Sequence, residues 1–399
     1  MQDAETAKST PGTVLLSYGF RPFFLLAGAY AALSIAVWAA VFAWGMALPS
    51  DMAPSLWHAH EMLFGFTMAA AAGFLLTAVP AWTGTRVVTG APLGLLVAFW
   101  LAGRLAFWMG ANLAPLAVAI IDLAFIPALI AAIAGPIIKS GQVRNFMFPG
   151  LLTIGLTANA FFHAEALDWT EDTASWGLRL GIYVFVVMVA LIGGRIAPRF
   201  TANALKQTDP DIEVRTDARV EKSAIITMVA ALVADLAGAP PVLSGALALA
   251  ASIGLALRMR HWQSLRTLDA PIIWVLHLGH AWVPIGFACK AASDLAGWLP
   301  ADAALHAFTI GAVGTSVLAV MTRAGLGHTG RPLHAPRSMV AAYVLVATAA
   351  LVRIFGPVAS DDFLIWVIVP AAMWIAAFAL FTVVFAPILM GPRPDGKSG

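Results

Sequence analysis

Residues 57–79 of this 399-residue chain have the sequence WHAHEMLFGFTMAAAAGFLLTAV. Two histidines and a glutamate stand at the head of an apolar run, Leu63 to Val79. A run of about 20 apolar residues is long enough to cross a bilayer core as a helix. Ionisable side chains are costly at the edge of such a run and usually carry function there. The stretch therefore predicts a transmembrane helix with a metal or cofactor site at its first turn.

The rest of the chain repeats this apolar character. Hydrophobic residues make up 60% of it and charged residues 11%, whereas soluble domains are closer to half and a quarter. Backbone groups in lipid must be satisfied within their own segment, which favours helices. The sequence predicts an all-α polytopic membrane protein with a single domain of about twelve transmembrane helices over residues 23–390. The predicted spans are Phe23–Ala47, His58–Val79, Leu93–Met109, Pro115–Ile138, Phe146–Ala166, Ser175–Ile196, Lys222–Leu236, Val242–Leu257, Pro271–Lys290, Ala303–Thr322, Met339–Phe355 and Phe363–Met390.

The distribution of basic residues predicts the orientation. With a cytoplasmic N-terminus, all but four of the 23 basic residues fall on the cytoplasmic side. The positive-inside rule favours this arrangement. We therefore expect a cytoplasmic segment 1–22, a cytoplasmic connection 197–221 between the sixth and seventh spans, and a cytoplasmic tail 391–399. The four exceptions are Arg104, Arg179, Lys290 and Arg353.

In this orientation, histidines from three spans meet at the outer side. His58 and His60 begin the second span, His163 ends the fifth, and His306 lies one turn into the tenth. Imidazole suits iron, copper and zinc. A structural zinc site is less attractive, because no local set of four ligands is present.

Haem b is attractive because two imidazoles from neighbouring spans can hold its iron. We expect His58 and His306 to be the axial ligands. The haem propionates would need cations, and three arginines lie towards the outer ends of their spans: Arg104, Arg179 and Arg353. We expect His60, Glu61 and His163 to form a second metal site or its proton relay, with Glu61 as the catalytic residue.

The remaining histidines lie lower. His277 and His280 are three residues apart in the ninth span and share one helix face, and His277 is the candidate for metal binding. His328 stands among the basic residues Arg323 and Arg331 of an inner loop, where it could bind an anionic lipid, a haem propionate or a quinol headgroup. The other two, His261 and His334, are expected to be solvated or to contact lipid headgroups.

The second and tenth spans share a weak internal sequence repeat. His60 is followed by Gly65 and by Thr83-Gly84, and His306 by Gly311 and by Thr329-Gly330 at the same intervals. Trp176 and Gly181 repeat the five-residue step in the sixth span. These repeated spacings suggest three pseudo-repeats of four helices.

Several classes of function have no support in the sequence. The single Cys289 excludes an intramolecular disulfide framework and a thiolate cluster. Hydrolase constellations, phosphate-binding glycine loops and dinucleotide fingerprints are missing. The inner arginines are explained by topology, so no nucleic-acid partner is expected.

The chain resembles the NnrS family, bacterial membrane proteins associated with the response to nitric oxide. Matching stretches extend over almost the whole chain: Gly19–Phe24, Trp57–Met62, Pro80–Gly84, Gly193–Thr201, Leu276–Gly279, His306–Gly311, Met321–Arg323 and Leu326–Leu333. The resemblance implies a twelve-span haem- and copper-containing protein of the bacterial inner membrane that relieves nitrosative stress. His280 departs from the family pattern, which has an aromatic residue such as tyrosine there, and this favours His277 as a ligand.

A looser similarity is architectural. Haem–copper oxidases and nitric oxide reductases hold a haem with histidines on the second and tenth of twelve spans, and His58 (followed by Met62) and His306 are similarly placed. The copper-binding histidines of the sixth and seventh spans in those enzymes are missing here. Any copper would need other ligands, drawn from His58, His60, His163 and His277.

The leading hypothesis is a haem- and copper-binding protein that binds nitric oxide or converts it by redox chemistry, with quinol as a candidate electron donor. One alternative is a transporter that carries a transition metal on the same histidines. Another is a non-catalytic nitric oxide sensor, for which the loop Arg195–Lys222 is the one sizeable surface for a partner.

Overall fold

We describe the fold from a computed structural model, which describes residues 11–48 and 52–396. Parts of the predicted terminal segments 1–22 and 391–399 lie outside these residues. The same holds for Lys8, Asp51 and Lys397, which contribute to the charge pattern in the sequence.

Twelve long helices follow one another in the order of the predicted spans. They are α1 (Phe20–Trp44), α2 (Pro54–Thr83), α3 (Gly90–Trp108), α4 (Pro115–Ser140), α5 (Met147–Ala166), α6 (Thr173–Leu205), α7 (Ala218–Leu236), α8 (Pro241–Met259), α9 (Pro271–Ala296), α10 (Ala301–His328), α11 (Arg337–Ala359) and α12 (Ile365–Met390). Short helices lie at Pro11–Leu15, Gly110–Asn112, Val143–Asn145 and Ser264–Thr267. The regular structure within the described residues is entirely helical.

Eleven of these helices are long and apolar enough to cross a membrane. The exception is α7, which has 19 residues but includes Arg219, Glu221, Lys222 and Asp235. The predicted fold class, an all-α polytopic membrane protein, is confirmed.

The largest difference from the predicted boundaries is at α6. This helix continues to Leu205, past Pro198, so the connection to α7 is residues 206–217 and not 197–221. The sequence suggested a loop there because the segment is charged, but a helix can leave the membrane and continue in a polar environment. Helix α9 likewise extends to Ala296, six residues beyond its predicted end.

The centre of the bundle is formed by α2, α6 and α10, which contact one another pairwise, and by α9 packed against α6 and α10. These helices are the most buried: 78% of the apolar segment of α2 is inside the protein, against 33% for the peripheral α8. Residues placed on α2, α6 and α10 can therefore reach the interior from three directions.

Helices α2 and α10 share an unusual wide turn. A π-helical segment covers Glu61–Thr67 in α2 and Ala307–Gly314 in α10, and each begins directly after a histidine. Both helices also end at a Thr-Gly pair whose glycine has a left-handed backbone, with φ of 69° at Gly84 and at Gly330. The internal sequence repeat between the two spans thus corresponds to a shared structure, a π-helical segment after a histidine and a left-handed glycine at the helix end. π-Helical turns are rare and often mark functional sites.

Candidate metal centre at the histidine end

We call the end of the bundle that carries His58, His60, His163 and His306 the histidine end, and the opposite end the arginine end. At the histidine end, His60 is completely buried and held between aromatic rings. Its ring stacks on Phe107 with centroids 3.9 Å apart, and Phe162 closes another side at 4.5 Å. The packing fixes the plane of the imidazole and covers its faces with apolar rings, so that only its edge meets polar groups.

Both ring nitrogens of His60 face acceptor oxygens. Nδ1 lies 3.0 Å from Oε1 of Glu61, and Nε2 lies 3.0 Å from Oδ1 of Asn159 and 3.3 Å from Oδ2 of Asp122. A neutral imidazole carries one proton, which suits only one of these sides. The geometry therefore favours a second proton or a metal ion at Nε2.

Asp122 lies at the centre of this cluster and contacts most of its members. Its Oδ2 accepts hydrogen bonds from Nδ2 of Asn159 at 2.8 Å and from Nε2 of His163 at 2.9 Å. Arg104 bridges the two carboxylates, with one guanidinium nitrogen on Glu61 and the other on Asp122. The six side chains of the cluster come from four helices and are all buried: His60 and Glu61 on α2, Arg104 on α3, Asp122 on α4, and Asn159 and His163 on α5.

The cluster lacks one positive charge. Glu61 and Asp122 bring two negative charges, and Arg104 brings one positive charge. Isolated charges away from water are very unfavourable, so a buried group of this kind tends towards neutrality. One ligand atom each from His60, Asp122 and His163 lie within 4.8 Å of one another, an arrangement that could hold a metal ion. A cation there would supply the missing charge.

His58 and His306 form a second pair at this end. His58 stacks on Trp38 at 4.5 Å, and its Nδ1 is buried with no hydrogen-bond partner among the described residues. Nδ1 of His306 donates a hydrogen bond to the backbone oxygen of Asp302 at 2.6 Å, so Nε2 carries no proton and has a lone pair free to bind a metal. His58 lies within electrostatic reach of His306 and Arg353. These are the donor atoms that a metal between α2 and α10 requires, and the hydrogen bond to a carbonyl is typical of metal-binding histidines.

The arginines predicted to bind propionates all have carboxylate partners. Arg104 belongs to the cluster above, Arg179 lies 3.6 Å from Asp235, and Arg353 lies 3.8 Å from Asp302. Of the three, Arg353 is the one close to the His58–His306 pair.

The two histidines of α9 lie apart from both groups. Both ring nitrogens of His277 have hydroxyl partners, Thr201 at 2.7 Å and Ser264 at 2.9 Å. The ring of His280 packs 4.7 Å from Trp262, and neither of its nitrogens has a hydrogen-bond partner within the described residues. The structure therefore does not bring His277 to the other candidate ligands.

The inner-loop candidates are at the arginine end. His328 and Arg323 line a large cavity there, whereas a guanidinium nitrogen of Arg331 lies 3.4 Å from the backbone oxygen of Thr329. His261 and His334 are exposed, as expected for solvated residues.

Sequence reasoning did not find Asp122 or Asn159. Asp122 stands within the apolar run Pro115–Ile138, and a carboxylate inside a predicted span is a signal in its own right. Asn159 has no such signal, because a single amide near a span end is common. Their partners come from distant parts of the chain, which the sequence does not reveal.

Comparison with known proteins identifies the family of the chain. A search of curated proteins finds no match to the chain. The family model described as "NnrS protein" matches residues 14–393, nearly the whole chain and both groups of histidines. The chain therefore belongs to the NnrS family.

Proposed function

We propose that this multi-pass membrane protein binds a transition metal at the His60–Asp122–His163 cluster and acts on nitric oxide there. Membership of the NnrS family associates the chain with the nitric oxide response. The single observation that supports a metal is the pair of acceptor oxygens facing Nε2 of His60 in a cluster short of one positive charge. The bacterial inner membrane is the expected location.

Copper is the metal we propose for this cluster. Imidazole ligands suit copper(I), whose single charge matches the one that the cluster lacks, and two imidazoles with a carboxylate also suit copper(II). Copper would supply one-electron chemistry and an affinity for nitric oxide. Glu61 would act through His60, because its carboxylate holds Nδ1 and so directs Nε2 towards Asp122. Carboxylates in this position orient ligating histidines and raise their basicity.

Haem b is the group we propose for the His58–His306 pair. The unpartnered Nδ1 of His58 and the free Nε2 of His306 supply donors, and Arg353 supplies a nearby cation for a propionate. Haem would add tight binding of nitric oxide in the ferrous state. A quinol of the membrane would be the electron donor if nitric oxide is converted and not only bound.

The copper proposal is tested by metal analysis of protein purified after expression with copper. We expect stoichiometric copper in the wild type and its loss in His163→Ala, because this change removes one ligand and leaves Asp122 short of a donor. The matched control is His261→Ala, an exposed histidine outside the cluster. Full copper retention in both His163→Ala and His60→Ala would overturn the proposal.

The haem proposal is tested by the visible spectrum. His306→Ala should abolish the haem absorption band while the protein remains in the membrane, and His261→Ala should keep it. A haem band that survives in His306→Ala would exclude this pair as the ligands. A wild-type protein that is colourless but binds metal would favour the transporter alternative.

A further inference from the structure

The cavity at the arginine end has a strongly basic mouth. Its volume is about 710 Å³, and it lies between α1, α2, α5, α6, α9 and α10. Its lining includes no aspartate or glutamate. The basic residues that line it are Arg144, Arg195, Arg199, Arg323 and His328.

These four arginines have no ion-pair partner within the described part of the chain, in contrast to the four cations towards the histidine end. Two of them lie over aromatic rings: the Arg323 guanidinium lies 3.8 Å from the centre of the Phe200 ring, and that of Arg195 lies 5.9 Å from Phe148. Such contacts hold a guanidinium in place without neutralising it. The positive-inside rule accounts for basic residues at this end but not for their convergence on one cavity.

A narrow apolar arm lies beside this cavity, in the middle of the bundle. The two spaces share six lining residues and therefore adjoin one another. Beyond them the arm is lined almost entirely by apolar side chains of α2, α6 and α10, and it reaches Thr67 and Val313 in the two π-helical segments. The shared residues are Phe24, Phe74, Ile192, Ile196, Leu276 and Val320.

We propose that this cavity and its apolar arm together bind an anionic phospholipid, with its phosphate among the arginines and an acyl chain in the arm. Guanidinium groups bind phosphate oxygens in pairs, which makes arginine the preferred residue for such groups. A free phosphate would leave the arm unused, and a zwitterionic headgroup would bring a cation of its own next to four arginines that are unpaired among the described residues. An anionic phospholipid has both a phosphate for the arginines and an acyl chain for the apolar arm.

The test is lipid binding to delipidated protein in detergent, measured by native mass spectrometry. The probes are phosphatidylglycerol, phosphatidylcholine with the same acyl chains, and glycerol 3-phosphate. We expect phosphatidylglycerol to bind at least about tenfold more tightly than either of the others, a difference of about 1.4 kcal/mol. Equal binding of phosphatidylcholine would overturn the proposal that the lipid is anionic, and equal binding of glycerol 3-phosphate would overturn the role of the arm.

Variants locate the site. Arg323→Gln and Arg199→Gln should each weaken phosphatidylglycerol binding severalfold. Arg337→Gln should leave it unchanged, because Arg337 is an exposed arginine outside the cavity. Arg199 is exposed, so its replacement preserves the fold even if the Arg323 variant proves unstable.

Ala71→Phe, which narrows the arm, should weaken binding of the lipid but not of glycerol 3-phosphate. An equal effect of Arg337→Gln would reduce the finding to general surface charge and overturn the proposal.

Discussion

The cations towards the histidine end differ from the arginines that line the large cavity at the arginine end in whether they have a carboxylate partner. Towards the histidine end, Arg104, Arg179, Lys290 and Arg353 each have a carboxylate partner. At the arginine end, the arginines around the large cavity have none within the described residues. Burial explains the difference for Arg104, because a charge away from water must be paired. Paired charges help to fix the structure, whereas solvated and unpaired charges remain available to a ligand.

The largest effect should follow removal of the buried cation that bridges two carboxylates. Arg104→Ala leaves Glu61 and Asp122 without a counter-charge, and breaking a buried ion pair on one side typically costs about 3–5 kcal/mol. We expect a large fall in the free energy of unfolding in detergent or a failure to accumulate in the membrane. The measurement is thermal unfolding of the purified protein, or membrane yield where purification fails.

Arg195→Ala is the matched control, since Arg195 is exposed and has no carboxylate partner among the described residues. Its replacement should change stability by less than about 0.5 kcal/mol. If the two alanine variants were equally stable, the contrast between the two ends would be wrong.

An intermediate effect is expected at Asp235. This carboxylate accepts a hydrogen bond from Tyr183 and pairs with Lys290, which keeps a second partner, Asp294, at 2.9 Å. Because Lys290 remains paired in Asp235→Asn, the loss should be about 1–2 kcal/mol, in the range of hydrogen bonds to charged groups. Chemical unfolding of wild type and variant gives the difference. The half-exposed Asp209, which pairs with Arg266 at 3.0 Å, provides the control: Asp209→Asn should cost much less.

The smallest effect on stability is expected at Arg353. Its partner Asp302 is 70% exposed, and the two groups are 3.8 Å apart. Arg353→Gln should therefore change the free energy of unfolding by less than about 1 kcal/mol. If Arg353 also binds a haem propionate, the same variant should shift the haem absorption spectrum, and Arg353→Lys should restore part of it. A loss of stability as large as that of Arg104→Ala would show that the ion pair has a structural role not apparent from its exposure.

Much of the fold followed from the sequence because hydrophobicity along the chain determines where a helix can cross a membrane. The second span shows this best, because the apolar run Leu63 to Val79 lies within α2, which is long and apolar enough to cross a membrane. The charged segment at the seventh position also forms a helix, α7, but it is not apolar enough to count as a span. Helix ends were less predictable. Pro198 and the arginines around it suggested that α6 had ended, although a helix outside the membrane tolerates both.

The candidate site was predictable only in part. The sequence indicated that His58, His60, His163 and His306 share one end of the bundle, since depth follows from position in a span. It could not indicate which of them meet. His60 pairs with His163 through Asp122, whereas His58 lies near His306, and this division depends on how α2 to α5 and α10 pack.

The wide turn in α2 has a consequence for how the protein can vary. A π-helical segment behaves as an α-helix with an inserted residue, and one residue corresponds to a rotation of about 100° around the axis. The segment Glu61–Thr67 therefore sets the angular phase between His60, on one side of it, and the apolar residues of Met68–Thr83, on the other. A one-residue deletion in this segment would turn the imidazole away from Asp122 while the lower helix kept its packing. A change of register in this segment would thus dismantle the polar centre without replacing any of the residues that form it.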